Sequence, residues 1–174
     1  ADLAERKSFI DGVVVSGGEP TLGQDLIPFL EAVKALSLSV KLDSNGLAPK
    51  VITELLHKGL VDYLAIDLKT LPQRYPELHS GPVAYESLLE TVSLCREASV
   101  ELEYRTTCVP GWVDEDVVTG LGELIDGAPF WAIQQYHPEH ALCADAREVE
   151  AYSQEKIQSF ADIAGRYVKR VIVR

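Results

Sequence analysis

Short apolar runs alternate with longer segments of helical periodicity along most of this chain. The first run, Gly12–Ser16 (GVVVS), is short and rich in valine, which predicts a strand buried on both faces. Leu26, Leu30 and Val33 then recur at the spacing of one face of a helix. The segment Thr21–Gln24 has the spacing of a capping box, so we expect this helix to begin beside it.

The alternation of strand and helix continues to the end of the chain. Further strands are predicted at Ser39–Asp43, Val61–Leu68, Val100–Thr107, Phe130–Gln135 and Val168–Val173. Helices are predicted at Pro49–Gly59, Tyr85–Ala98, Asp114–Ile125 and Tyr152–Tyr167, and a loop rich in proline and glycine at Thr70–Pro82. Strands that alternate with helices form parallel sheets, which predicts a single α/β domain over residues 1–174. We expect an incomplete, TIM-like (β/α) barrel of about five or six mostly parallel strands, with ligands at their carboxyl ends.

Composition and charge narrow the class of protein. Of the 174 residues, 47% are hydrophobic and 25% are charged, which is ordinary for a soluble globular domain. The net charge of -11 and the lack of a basic patch argue against nucleic acid as the main partner. No apolar stretch approaches the roughly 18 residues that a membrane span needs. Cys95, Cys108 and Cys143 are odd in number and far apart, which favours a reducing cytoplasm over a disulfide framework.

Each of the first five predicted strands ends in polar groups of a ligand-binding kind. The segments are Ser16–Pro20 (SGGEP), Asp43–Gly46 (DSNG), Asp67–Lys69 (DLK), Arg105–Thr107 (RTT) and Gln134–His137 (QQYH). The two glycines of SGGEP allow the backbone to approach a ligand closely. The carboxylates of Glu19 and Asp67 favour an ammonium group. Lys69, Arg105 or His137 favours a carboxylate, so these strand ends suit the amino-acid end of a ligand.

These motifs, in this order, resemble the radical S-adenosylmethionine superfamily and, within it, the activating enzymes of glycyl-radical proteins. The resemblance rests on SGGEP, DSNG, AIDLK and RTTCVPGW, and it runs from about Ile10 to His137. It is strongest to the activating proteins of anaerobic ribonucleoside-triphosphate reductase and pyruvate formate-lyase. It implies an oxidoreductase that uses S-adenosylmethionine and a [4Fe–4S] cluster to make a 5′-deoxyadenosyl radical. The implied partners are a glycyl-radical enzyme as protein substrate and a flavodoxin or ferredoxin as electron donor.

The resemblance also implies roles for particular residues. The backbone at Gly17 and Gly18, together with Glu19, is expected to contact the methionine ammonium. Asp67 and Lys69 are expected to hold the methionine moiety. The other cofactor-binding residues that it implies are Pro20, Asn45, Arg105, Thr107 and His137. Of these, Arg105 and Thr107 at the fourth strand end are expected to face the adenosine. His137 is expected to lie near the ribose and the carboxylate.

The cluster loop of the superfamily, CxxxCxxC, does not occur in this sequence. Ala1–Phe9 resembles the tail of the helix that lies between that loop and SGGEP, and the sequence contains no methionine. We therefore expect a truncated chain without the first βα unit, with no catalytic or metal-binding residues and no activity alone. The loss of a strand would leave an exposed sheet edge, which offers a route to a dimer.

Plainer explanations stay open for the individual motifs. SGGEP can be a tight turn, and Asp67 with Lys69 a structural ion pair. Arg105 can neutralise neighbouring carboxylates, and His137 can be an ordinary surface residue. Three functions also stay open: a radical activase, another radical enzyme of the superfamily that acts on a small molecule, and a non-catalytic remnant or binding module.

Overall fold

A computed structural model of the chain describes residues 2–78, 81–141 and 143–174, so that Ala1, His79, Ser80 and Leu142 lie outside the described residues. The strands are β1 Gly12–Val15, β2 Ser39–Ser44, β3 Tyr63–Asp67, β4 Glu101–Cys108, β5 Trp131–Gln135 and β6 Val171–Val173. They form a six-stranded sheet in the order β1-β2-β3-β4-β5-β6, and its described pairings are parallel. The predicted α/β class with parallel strands is confirmed, and the predicted strand boundaries differ by only a few residues.

Helices alternate with these strands. They are α1 Asp2–Arg6, α2 Leu26–Ala35, α3 Pro49–His57, α4 Tyr75–Leu78, α5 Glu86–Glu97, α6 Glu115–Leu124, α7 Ala144–Arg147 and α8 Gln154–Ala164. Single 3-10 turns cover Pro20–Leu22, Pro72–Arg74 and Pro138–His140. The short helix α1 falls within the predicted helix tail Ala1–Phe9, whose first residue is not described. Within the described ranges, none of the helices combines the length and the apolar character that crossing a membrane requires.

The chain forms two compact units. The first unit runs up to Asp67 and includes Ala84–Leu102, so it holds β1, β2 and β3 with α2, α3 and α5. The second unit consists of Leu68–Val83 and Glu103–Arg174, and it holds β5 and β6 with α4, α6, α7 and α8.

The core of the first unit lies on one face of its strands. Val40 and Leu42 of β2 are buried, and they alternate with the more exposed Lys41 and Asp43 because successive strand residues point to opposite faces. Helix α2 contacts β2, and α3 contacts α5. The buried helix side chains that complete this core are Leu30, Val33, Ile52, Leu55, Leu88 and Val92.

The prediction that the first strand is buried on both faces is wrong. Val14 has 62% of its surface exposed, and Val13 and Val15 on the other face are only half-buried. Val14 pairs with Lys41 of β2, on the face of β2 opposite the buried residues. Strand β1 also stands at one end of the strand order, where it has a single neighbour. A run of valines predicts a strand, but it does not say whether both faces are covered.

The second unit is built around α8, which packs on β5, β6 and α6. Phe160 of α8 and Trp131 of β5 are fully buried. The indole N–H of Trp131 donates to Oγ1 of Thr106 on β4 at 3.0 Å, so two buried polar groups satisfy each other. The predicted start of α6 is confirmed, since the Asp114 carboxylate accepts the backbone N–H of Val117 at 2.9 Å.

Two local predictions are corrected by the structure. Thr21 forms no capping box with Gln24, because it lies in the 3-10 turn Pro20–Leu22 and its hydroxyl donates to Glu19. Helix α2 begins instead after Asp25, without a side-chain cap. The predicted loop Thr70–Pro82 contains a 3-10 turn and α4, which a fully buried Tyr75 anchors.

Candidate functional site

In the loop after β1, the backbone of Gly17 and Gly18 is not covered by side chains. Gly17 and Gly18 have φ angles of +90° and +57°, in the left-handed region that glycine adopts without strain. A Cβ atom placed on either residue would meet no atom within 4 Å. The glycines are therefore required by the backbone conformation and not by crowding, and the space that their side chains would occupy is open.

The Glu19 carboxylate ties this loop to the end of β2. Its Oε1 accepts the backbone N–H of Thr21 at 3.2 Å, the hydroxyl of Thr21 at 2.6 Å and the hydroxyl of Ser44 at 2.9 Å. Its Oε2 accepts the backbone N–H of Asn45 at 2.7 Å. Thr21 and Ser44 are both buried, with 6% and 3% of their surfaces exposed. The first two strand ends are thus joined by a single side chain.

Residues of α5 pack against the turn that follows β2. The Thr91 hydroxyl donates to the carbonyl of Gly46 at 2.7 Å in a buried contact. Gly46 has a φ of +74°, and a Cβ atom there would lie 2.9 Å from Cδ1 of Leu88. Oδ1 of Asn45 accepts the backbone N–H of Leu47 at 2.9 Å, an Asx turn of the kind asparagine often forms. Asn45 is therefore presented from a tightly packed turn.

Charged side chains line the face of the first unit opposite its core. Lys41 and Asp43 of β2 form an ion pair of 3.8 Å, and the Lys41 ammonium lies 4.8 Å from the centre of the Tyr63 ring. Asp67, at the end of β3, lies on the same face because Lys41 and Asp43 pair with Tyr63 and Ala65. Sequence reasoning named Asp43 within DSNG but missed Lys41 as its neighbour, although the alternation in SVKLDS carried the signal.

Within the second unit, Lys69 and Thr107 are exposed and Arg105 is half-buried. The backbone N–H of Lys69 donates to the Tyr75 hydroxyl at 3.0 Å, and the Arg105 carbonyl accepts the N–H of Leu68 at 2.8 Å. Arg105 and Thr107 share one face of β4 by alternation.

The loop after β4 is fixed by three anchors in the second unit. The Thr70 hydroxyl donates to the Trp112 carbonyl at 2.8 Å, and Nη2 of Arg74 donates to the Gly111 carbonyl at 3.2 Å. The Arg74 guanidinium also lies 4.8 Å from the centre of the Trp112 ring, a cation–π contact. The Tyr152 hydroxyl donates to the carbonyl of Val113 at 2.9 Å. The motif RTTCVPGW alone does not predict these contacts.

His137 is exposed at the start of the 3-10 turn Pro138–His140. Its Nδ1 lies 3.4 Å from the Glu139 carboxylate, and its ring centre lies 5.7 Å from that of His140. A backbone hydrogen bond lowers the pKa of Glu139, and the two histidines lower it further. The contacts of His137 are local, so its predicted role at a ligand stays a prediction.

The cysteines are scattered through the chain. Cys95 and Cys108 are buried, and Cys143 is exposed. Burial raises the pKa of Cys108 to about 12, which disfavours the thiolate, the form that binds iron. The part of the chain that the structure describes holds no group of three or more histidine, cysteine or carboxylate side chains arranged for a metal ion.

Comparison with known sequences identifies the family. The profile of the radical S-adenosylmethionine superfamily matches residues 1–121. The chain belongs to the radical S-adenosylmethionine superfamily. Membership implies S-adenosylmethionine and a [4Fe–4S] cluster as the cofactors of the complete family members.

Relatives within the superfamily agree with this assignment. The chain is 33% identical over 171 residues to a candidate glycyl-radical enzyme activating enzyme of Methanocaldococcus jannaschii, covering 95% of this chain and 71% of the relative. A second protein of that organism, with the same description, is 24% identical over 93% of this chain. The chain spans 62% of the length of this second relative.

A solved structure shares the fold. A domain of pyruvate-formate lyase-activating enzyme from Bacteroides vulgatus superposes with a TM-score of 0.75 at 21% sequence identity. The match covers 94% of this chain and 98% of that domain. At this identity the likeness supports the fold alone.

Proposed function

We propose that the first unit of this chain binds S-adenosylmethionine at the carboxyl ends of its strands, as the cofactor-binding part of a glycyl-radical activase. The observation that carries the proposal is the Gly17–Gly18 backbone, which has open space at both Cβ positions and is followed directly by Glu19, whose carboxylate bonds to the turn after β2. In this superfamily the cofactors supply a carbon-centred radical that removes a hydrogen atom from the substrate.

The donor groups of the first unit suit the amino-acid end of the cofactor. Backbone groups at Gly17 and Gly18 offer polar contacts without a side chain in the way. Pro20 and Asn45 flank this loop, and the Asp67 carboxylate offers a charge partner for the methionine ammonium. For the remaining predicted residues, the cofactor-binding role is proposed from the resemblance alone and can be tested by single substitutions. These residues are Lys69, Arg105, Thr107 and His137.

The residues present do not fit the cluster. The superfamily holds its cluster through three closely spaced thiolates, whereas Cys95 and Cys108 are buried in the core and Cys143 lies far from both in sequence. We therefore propose that these 174 residues alone bind no cluster, and no chemical step is assigned to them.

We propose a glycyl-radical enzyme as the protein substrate, which the names of the Methanocaldococcus jannaschii relatives support. An anaerobic ribonucleotide reductase is the example that the resemblance of the sequence motifs implies. The same proposal includes a flavodoxin or ferredoxin as electron donor. It also includes a cytoplasmic location and a dimer through the β1 edge. A non-catalytic binding module is the second candidate, which the buried Cys95 and Cys108 favour.

Calorimetric titration with S-adenosylmethionine tests the proposal. We expect weak binding by the wild-type chain, because strand-end contacts act without chelation by a cluster. Gly17→Ala should weaken it about fivefold to thirtyfold, since a left-handed L-residue costs about 1–2 kcal/mol. Gly59→Ala is the matched control, because Gly59 has a φ of +61° and equally open surroundings at the end of α3. No binding by the wild type, or equal loss in both variants, would reject the site, and nanomolar affinity would contradict the account of weak binding.

A further inference from the structure

The Glu19 carboxylate accepts hydrogen bonds on both of its oxygens. A carboxylate offers about four lone-pair sites. Oε1 accepts three hydrogen bonds, from the backbone N–H and the hydroxyl of Thr21 and from the hydroxyl of Ser44, and Oε2 accepts one, from the backbone N–H of Asn45. The donors arrive from both of the strand ends that the carboxylate joins, and the side chain is half-buried between them.

We propose that Glu19 is a positioning residue, which serves the cofactor site by holding the Gly17–Gly18 backbone in place and not by contacting the cofactor ammonium. Thr21 and Ser44 are its positioning partners. This inference rests on the proposed binding of S-adenosylmethionine to the first unit. It assigns a role to two residues, Thr21 and Ser44, that the sequence motifs leave without one.

The β2 side of this connection is rigid enough to act as an anchor. Gly46 is enclosed by Leu88 and Ile66, and its carbonyl accepts the Thr91 hydroxyl. Gly46 in turn donates its backbone N–H to the Ser44 hydroxyl at 3.1 Å. The packing of α5 therefore fixes the turn, the turn fixes Glu19, and Glu19 fixes the glycine loop. Well-packed groups of this kind are what hold a binding geometry within a fraction of an ångström.

Substitution of the partners separates a positioning role from direct contact. Ser44→Ala and Thr21→Val remove hydroxyl donors but leave the Glu19 charge in place. If Glu19 paired with the ammonium, releasing it from its neighbours would leave the affinity unchanged or raise it. If Glu19 positions the loop, both variants should lower the affinity, and Gly17 and Gly18 should become more mobile.

The experiment combines two readouts on the same set of proteins. The variants are Ser44→Ala, Thr21→Val and Glu19→Gln, with Ser39→Ala as control because Ser39 is exposed on the same strand. Calorimetry measures affinity for S-adenosylmethionine, and ¹⁵N relaxation measures the amide order parameters of Gly17 and Gly18. Thr21→Val keeps the side-chain volume, so it remains informative if Ser44→Ala folds poorly.

We expect Ser44→Ala and Thr21→Val each to weaken binding at least about fivefold, given the strength of hydrogen bonds to charged groups. The glycine order parameters should fall from about 0.85 towards 0.6 in both, with no change in Ser39→Ala. Wild-type affinity in both variants with a large loss only in Glu19→Gln would overturn the proposal and make Glu19 a direct contact. Unchanged order parameters would overturn it as well. Failure of the wild type to bind rejects the proposed function instead, and the order parameters still decide whether Glu19 positions the loop.

Discussion

The backbone N–H of Asn45 donates to Oε2 of Glu19 at 2.7 Å across a separation of 26 residues. This hydrogen bond links the loop that follows β1 to the turn that follows β2. Both segments were predicted as ligand-binding strand ends, but their direct connection comes only from the fold. It explains how an exposed glycine loop can keep a defined shape: the loop is held at its base by a carboxylate whose other partners are buried.

Replacement of Gly46 should be costly for stability. Gly46→Ala requires a left-handed L-residue and places a methyl group 2.9 Å from Leu88. We expect the free energy of unfolding to fall by about 2–4 kcal/mol, combining strain with overpacking. Gly59→Ala, which has the strain without the crowding, should cost only about 1–2 kcal/mol. Urea denaturation of both variants checks this, and equal losses would show that the turn can relax.

Loss of Arg174 should destabilise the second unit through Glu103. The Glu103 carboxylate is fully buried, and Nη1 of Arg174 donates to it at 2.6 Å. Arg174→Ala should therefore cost about 1–3 kcal/mol, because a hydrogen bond to a buried charge is lost. Arg170→Ala is the control, since both arginines lie over the Phe130 ring, Arg174 at 5.8 Å and Arg170 at 5.2 Å from its centre. If the unfolding temperature falls equally in both variants, the ion pair between Arg174 and Glu103 adds no stability of its own.

Stability should fall at alkaline pH because of Cys108. Its pKa is raised by burial from 9.0 to about 12, so the folded chain keeps a proton that the unfolded chain releases between these values. The stability that the protonated thiol contributes is complete below about pH 9. It is lost as the pH rises towards 12, by up to about 1.4 kcal/mol per pH unit. Denaturation at pH 8, 9 and 10.5 should show a weaker slope in Cys108→Ala than in the wild type. Cys143→Ala, at an exposed position, should keep the wild-type slope, and identical slopes in all three would contradict the assignment.

The 174-residue chain should not cleave S-adenosylmethionine by itself. Its cysteines offer no set of closely spaced thiolates. After incubation with iron and sulfide followed by dithionite, 5′-deoxyadenosine should stay at the level of a protein-free control. Clear turnover would show that these residues bind a cluster after all.

Much of the fold could be read from the sequence, because strand and helix periodicities, the Asp114 cap and the order of strand ends are local signals. Two of the corrected predictions show where such signals fail. Thr21 has the composition of a helix cap, but Pro20 starts a 3-10 turn before the helix begins. The valines of β1 predict a strand, but the exposure of Val14 depends on which face the rest of the chain covers.

The connections within the candidate site could not be predicted in the same way. Ser44 and Asn45 meet Glu19 across 25 and 26 residues, and that meeting depends on the register of β1 against β2. The pairing of Lys41 with Asp43 next to Tyr63 likewise needs the β2–β3 register. Motifs therefore indicated the strand ends of the candidate site, whereas the tertiary structure was needed to show which of their side chains bond to one another.

The most direct test of the central claim is residue-by-residue mapping of cofactor binding by NMR. In a ¹⁵N-labelled chain titrated with S-adenosylmethionine, the amide signals of Gly17, Gly18, Asn45 and Asp67 should shift together and saturate with one affinity. Residues at the opposite ends of the strands, such as Gly59 and Ser99, should not shift. No shifts at cofactor concentrations well above those of weak binding, or shifts confined to residues away from these strand ends, would contradict the account.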